Sequence, residues 1–284
     1  NGDMKGIGSF QYLNGDHYSG HWEKNKIHGQ GTFTYSNGNN YEGEWESNYK
    51  SGHGTFKTLA NGFTYEGEWV EDQKNGKGIY TSSFGDKYEG DFLDGKMEGK
   101  GIFTSSIGDV YTGEWQNDKM NGKGKLTYSN GELYEGNFKN DQLNGKGDFT
   151  YSNGDTYSGE WKSDLKDGQG INTYSNGNNY SGDWKLGEMS GQGIYTYSNG
   201  NIYEGSFLNG LKNGSGLYKY SNGNSYEGEF FNDTFHGEGT FIYQNGNIYS
   251  GDFKQGKMEG FGTFSESNGK TVKGEWENGK PLNW

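Results

Sequence analysis

Two sets of side chains in this 284-residue chain have spacings that could do chemistry. The first is the five histidines, His17, His21, His28, His53 and His236, of which His17 and His21 share a parity. Four residues of strand span about 13 Å, too far for two imidazoles to hold one ion. The second set is carboxylates spaced by two, at Glu42/Glu44, Glu66/Glu68, Glu89/Asp91 and Glu227/Glu229. On a strand such pairs stand roughly 7 Å apart, near the separation used to cleave glycosides. That reaction also needs burial to raise one acid's pKa, and these pairs recur as a solvated face that discourages edge association. No nucleophile with a base accompanies them and cysteine is absent, so the chain reads as a non-enzyme needing no cofactor or metal.

What recurs most strongly is Tyr-Glu-Gly-Glu-Trp, seen at Tyr41–Trp45, with its leading Tyr at 18, 41, 65, 88, 111, 134, 157, 180, 203, 226 and 249. Each step is 23 residues except one of 24. A fixed period in this range marks a repeat array, each unit one supersecondary element unable to bury its own surface. The unit from Tyr41 to Gly62 reads as strand, loop, strand, turn. Side-chain alternation puts Tyr41, Gly43 and Trp45 on one face and Glu42 and Glu44 on the other. In the preceding second strand Gly29, Gly31, Phe33 and Tyr35 share a parity. The recurring Asn-Gly, as at Asn37-Gly38, predicts a tight hairpin turn with positive φ. A glycine between two rings predicts that a neighbouring ring lies flat on bare backbone. The expectation is an all-β fold, an elongated single-layer antiparallel sheet of about 24 strands, on the order of 110 Å before twist and curvature.

Composition limits the partners. The 54 glycines and 17% aromatic residues leave only 28% hydrophobic residues, so the periodic rings must form the core. The net charge is -13 and every basic residue is Lys, which argues against nucleic acid and disfavours an anionic membrane. No apolar run reaches the roughly 20 residues that span a bilayer. An intracellular location fits the lack of cysteine. The start at Asn1, partway through a repeat, reads as a fragment of a longer protein.

Tyr-x-Gly-x-Trp/Phe followed by Gly-x-Gly and an Asn-Gly turn resembles the MORN (membrane occupation and recognition nexus) repeat. The resemblance covers the chain as one array: a half repeat over 1–17, eleven repeats beginning at the tyrosines above, and a degenerate last repeat over 272–284 with Val272 in place of Tyr. It implies a grooved scaffold for other proteins, in a cytoskeletal, ciliary or radial-spoke setting. A lipid-targeting array of a phosphatidylinositol-phosphate kinase and a carbohydrate-binding β-repeat are the alternatives.

The ring face is the candidate groove for a partner peptide or helix, since Tyr and Trp dominate interface hot spots. The repeat departs from its pattern where Thr58, Ser82 and Ser105 replace the second-strand Tyr found at Tyr35 and Tyr128. Phe84-Gly85 and Ile107-Gly108 replace Asn-Gly nearby. A wider recess over about 55–115 is therefore expected, contacting a partner through Tyr41, Trp45, Phe56, Thr58, Tyr65, Trp69, Ser82, Tyr88, Phe92, Ser105, Tyr111 and Trp115. The unpaired strands at both ends add possible self-association through the sheet edges. Pro281 is placed just past the last strand as a stop.

Overall fold

The computed structural model describes residues 2–282. Those residues contain twenty-five strands and no helix. They divide into two compact units, one ending at Gln142 and the other beginning at Leu143. Within each unit the strands form an antiparallel meander of consecutive hairpins, as expected. In the first unit β1 (Gly6–Gln11), β2 (His17–Glu23), β3 (Lys26–Thr34), β4 (Asn40–Glu46), β5 (Tyr49–Lys57) and β6 (Thr64–Val70) each pair with their sequence neighbours.

Alternation places the faces as the sequence predicts. In β4 Tyr41, Gly43 and Trp45 are buried while Glu42, Glu44 and Glu46 are exposed. Tyr41 lies opposite Phe33 on one side and Phe56 on the other, and Gly43 lies between Gly31 and Gly54. On both sides of β4 rings therefore meet rings and glycines meet glycines.

The turns differ from expectation. Asn37-Gly38 is not a two-residue turn with two positive φ angles. Ser36, Asn37 and Gly38 form a three-residue loop closed by Gly38 N–H donating to Tyr35 O, and only Gly38 has positive φ. This is a type I turn ended by one left-handed glycine, which suits a three-residue hairpin. The two-residue turns with positive φ at both positions sit at the other edge, at Ser47-Asn48 and Glu71-Asp72. The sequence signal misled because Asn tolerates both geometries, and here its side chain accepts the Asn39 N–H instead.

Side chains at both edges tie each repeat to the next. On the three-residue-loop edge the Asp or Asn after the glycine accepts an N–H about one repeat later, as Asp86 does from Ser106 at 2.8 Å and Asn201 from Ser221 at 3.0 Å. On the opposite edge Asp72 accepts from Lys50 N–H at 2.9 Å and Asp118 from Met97 N–H at 2.8 Å. At the chain's end, β24 (Thr271–Glu277) pairs with β25 (Lys280–Pro281) through Trp276 and Pro281. Pro281 thus lies inside a short extra strand rather than after the last one. A peripheral position suits it, since proline has no N–H to donate to a further strand.

Candidate functional site

The first-strand tyrosines build the interior. Tyr41 is 0% exposed and stands edge-on to its own Trp45 at 4.9 Å and to Trp69 of the next repeat at 5.3 Å. Tyr65 and Tyr88 repeat this with Trp69 and Phe92, and with Phe92 and Trp115. The result is a ladder of perpendicular rings, the arrangement favoured by the aromatic quadrupole.

A bulge between the two strands of the repeat explains the rest of the motif. The register slips between Gly43 and Trp45, where Gly52 adopts φ 58° and the chain pushes out an extra stretch. Two groups freed from the ladder need partners. The Tyr41 hydroxyl donates to Glu44 O at 3.0 Å, and the equivalent bond recurs at Tyr88 to Asp91 O at 2.9 Å. The second acidic residue of the pair accepts the N–H that follows the left-handed glycine: Glu68 takes Lys77 N–H at 3.0 Å and Asp91 takes Lys100 N–H at 3.0 Å. Burial works against the Asp91 carboxylate, but Lys77 and that N–H outweigh it and hold its pKa below the usual value. The expected open acidic face is therefore half structural. Glu68→Ala is expected to lower the stability of the first unit by about 1 kcal/mol, whereas Glu66→Ala should change it by less than about 0.5 kcal/mol. Urea midpoints of the two variants test this.

Four lysines reach into the ring layer just after the two-residue turns. Lys50 stands 5.4 Å from Phe56 and 5.1 Å from Trp69, and it pairs with Asp72 at 3.6 Å. Lys212 lies over Tyr203 and Tyr218 and bonds both the Tyr197 hydroxyl at 2.9 Å and Asp233 at 3.3 Å. Lys166 lies 4.7 Å from both Tyr157 and Trp184 and donates to Asn172, a 2% exposed residue standing where other repeats have a ring. Its burial pushes its pKa down to about 8. Lys74 lies over Tyr65, Tyr80 and Phe92 at 5.1–5.6 Å. Burial lowers its pKa, with Asp118 opposing that through space.

The twelve sequence-predicted contact residues divide by depth. Tyr41, Tyr65, Tyr88 and Tyr111 are at most 1% exposed, and Trp45, Trp69, Phe92 and Trp115 lie between 4% and 6%. These eight are the packed interior rather than an exposed surface. Phe56, Thr58, Ser82 and Ser105 are half-buried at its surface. In intact repeats the second-strand Tyr covers the next repeat's ring, as Tyr35 covers Phe56 at 6.1 Å. At Thr58 the inserted residue lets Phe63 take over, 5.8 Å from Phe56 and 5.9 Å from Tyr80. The Thr58 hydroxyl accepts the Phe63 N–H at 3.0 Å and sets that loop. At Ser82 the hydroxyl instead accepts the Asp86 N–H at 3.0 Å and sets its own loop.

A cleft of about 760 Å³ opens in this segment, lined by Phe56, Phe63, Tyr80, Lys74, Met97 and Asp118 among others. Leu59, Phe84 and Ile107 at successive loop tips are 73%, 83% and 73% exposed. The opposite face carries a second groove of about 810 Å³, which runs over bare glycines between Ile79 and Ile102 and the exposed Lys77, Lys100 and Lys123. Sequence reasoning treated that face as uniformly acidic and missed it. The middle residue of each Gly-x-Gly carried the signal. In the second unit the matching groove, about 970 Å³, is lined by Glu204, Glu227, Glu229, Glu238 and Asp252. Among the described residues no group of three or more His, Asp or Glu gathers as a metal site, and no helix is long and apolar enough to cross a membrane.

Solved structures similar to this chain include the TCP10 domain of Danio rerio CPAP in complex with a STIL peptide. The two are 11% identical with a TM-score of 0.40, over 80% of this chain and 98% of that one. The Drosophila melanogaster SAS-4 TCP domain with a proline-rich motif of Ana2 is 12% identical with a TM-score of 0.28, over 63% and 85%. Virginiamycin B lyase of Staphylococcus aureus is 10% identical with a TM-score of 0.16, over 100% and 86%. A comparison with curated proteins finds no match. The MORN repeat model matches eleven consecutive segments, from 18–40 through 249–271. Those segments begin at the eleven buried tyrosines of the ring ladder, and the chain belongs to the MORN repeat family.

Proposed function

We propose that this array is a non-enzymatic scaffold that holds a segment of another protein in the ring-lined cleft of its first unit, in a cytoskeletal or ciliary assembly. The observation that carries this reading is the break in the second-strand tyrosines at Thr58, where Phe63 stands between Phe56 and Tyr80 and these three rings line a cleft. Leu59, Phe84 and Ile107 add exposed apolar loop tips in the same stretch of sequence. Catalysis has no support in the geometry, because the paired carboxylates either face solvent or cap a bulge N–H.

The test places a photo-crosslinking residue at Tyr80 in the cleft, or at Glu135 on the other face, in the protein expressed in its native cell. One partner protein should crosslink from position 80 and be lost on Phe63→Ala. Equal capture from both positions would remove the cleft as the partner seat.

A further inference from the structure

The repeats contain a charge pair that is complete in some places and split in others. Its complete form is a ring-embedded lysine with an aspartate from the next two-residue turn, as Lys50 with Asp72 and Lys212 with Asp233. In the third repeat Lys74 keeps its three rings, but the turn residue is Gly95, which supplies only a backbone N–H to Lys74 O. The hydroxyl that Tyr197 offers Lys212 is also missing, because Thr58 stands at that position and Phe63 fills the space with a ring that has no hydroxyl. One repeat later the reverse holds. Asp118 keeps its bond to Met97 N–H, yet Met97 occupies the lysine position. Lys74 and Asp118 both line the same cleft, with no salt bridge from either among the described residues.

Resting on the reading of this cleft as a partner seat, we infer that the bound segment carries an acidic and a basic side chain one repeat pitch apart, the acid meeting Lys74 and the base meeting Asp118. Corresponding positions in adjacent repeats are two strands apart, about 9.6 Å. Three residues of a polyproline II strand cover about 9.3 Å and two helical turns about 10.8 Å, so either backbone can present the pair. The chain's own lysines show that this layer accepts a cation over its rings, and Lys50 and Lys212 show that it then places a carboxylate beside it. Rim charges fit a segment of mixed sign. Lys50 is already held by Asp72, and Asp94 at the neighbouring tip faces solvent and adds to the pull on the basic residue. A purely acidic segment would meet Asp94 and Asp118, and a purely basic one would meet Lys74.

The test is selection of a displayed random-peptide library on the full chain and on a Lys74→Glu, Asp118→Lys variant whose circular dichroism matches it. Peptides enriched on the full chain should share an acid–base pair at one fixed separation, and those enriched on the variant the same pair in reversed order. Lys74→Met, which copies Met97, should weaken the first set about tenfold. Peptides that enrich without a charge pair, or with the same order on both, would overturn the inference while leaving the cleft as a peptide seat. If no peptide is enriched that Tyr80→Ala releases, the seat itself fails and the inference with it.

Discussion

Raising the pH from 10 to 12 is expected to unfold both units cooperatively, with the buried tyrosines ionising only as the strands separate. Eleven first-strand tyrosines are at most 1% exposed. Burial raises the pKa of Tyr18 and Tyr249 from 10.0 to about 12 and that of Tyr41, Tyr65, Tyr88, Tyr111, Tyr157, Tyr180, Tyr203 and Tyr226 further. A group whose folded pKa is raised contributes stability that is whole below its unfolded pKa and is lost as pH climbs toward its folded one. The window therefore opens at about 10. One pH unit above it, each fully protected tyrosine costs about 1.4 kcal/mol, so the five with raised pKa in the first unit remove about 7 kcal/mol, comparable with the whole stability of a domain. Lys166 acts in the opposite sense. With its pKa lowered to about 8 it favours the folded state more as pH rises toward 10.5, but one partly exposed lysine cannot offset five buried tyrosines in its unit. Tyrosinate absorbance and strand circular dichroism recorded together check this. Full ionisation of all 23 tyrosines with the strand signal intact would contradict it.

The second large effect concerns the glycine on which each tyrosine lies. A Cβ at Gly54 would come within 2.5 Å of Tyr41 Cζ and closer still to its hydroxyl, and one at Gly43 would strike the Gly54 backbone. The ring cannot move aside, because Trp45 and Trp69 hold both its edges and its hydroxyl is bonded to Glu44 O. Gly54→Ala should therefore destabilise the first unit by about 3 kcal/mol or more. The last repeat supplies the control. Val272 stands there in place of Tyr, and a Cβ at Gly274 meets nothing within 4 Å. Gly274→Ala should cost less than about 1 kcal/mol, within the range of a benign surface change or a gain from restricting the unfolded chain. Equal losses in thermal or urea unfolding at the two sites would show that backbone freedom, rather than the ring, demands these glycines.

The ring and its glycine also show why the fold was legible and the site only partly so. Alternation is a local property, so the order of residues along one strand suffices to set Tyr41, Gly43 and Trp45 together against Glu42 and Glu44. Repetition then extends that placement along the chain, and the interruption that begins at Thr58 marks the segment where the cleft opens. Depth was not legible, because an exposed and a buried ring have the same parity. Eight of the predicted contact residues consequently lie beneath the surface they were expected to form.

The sequence by itself determined the period, the two faces, the family and the stretch where the repeat breaks, since each depends on neighbours within one strand or on simple recurrence. Only the tertiary structure decided which carboxylate is structural, because Glu68 differs from Glu66 only in facing a bulge made by the partner strand. It also placed Phe63 over the gap left at Thr58 and left Lys74 and Asp118 without the salt-bridge partners their counterparts have. Those relations join residues in neighbouring repeats, brought together by strand pairing, and no reading along one repeat contains them.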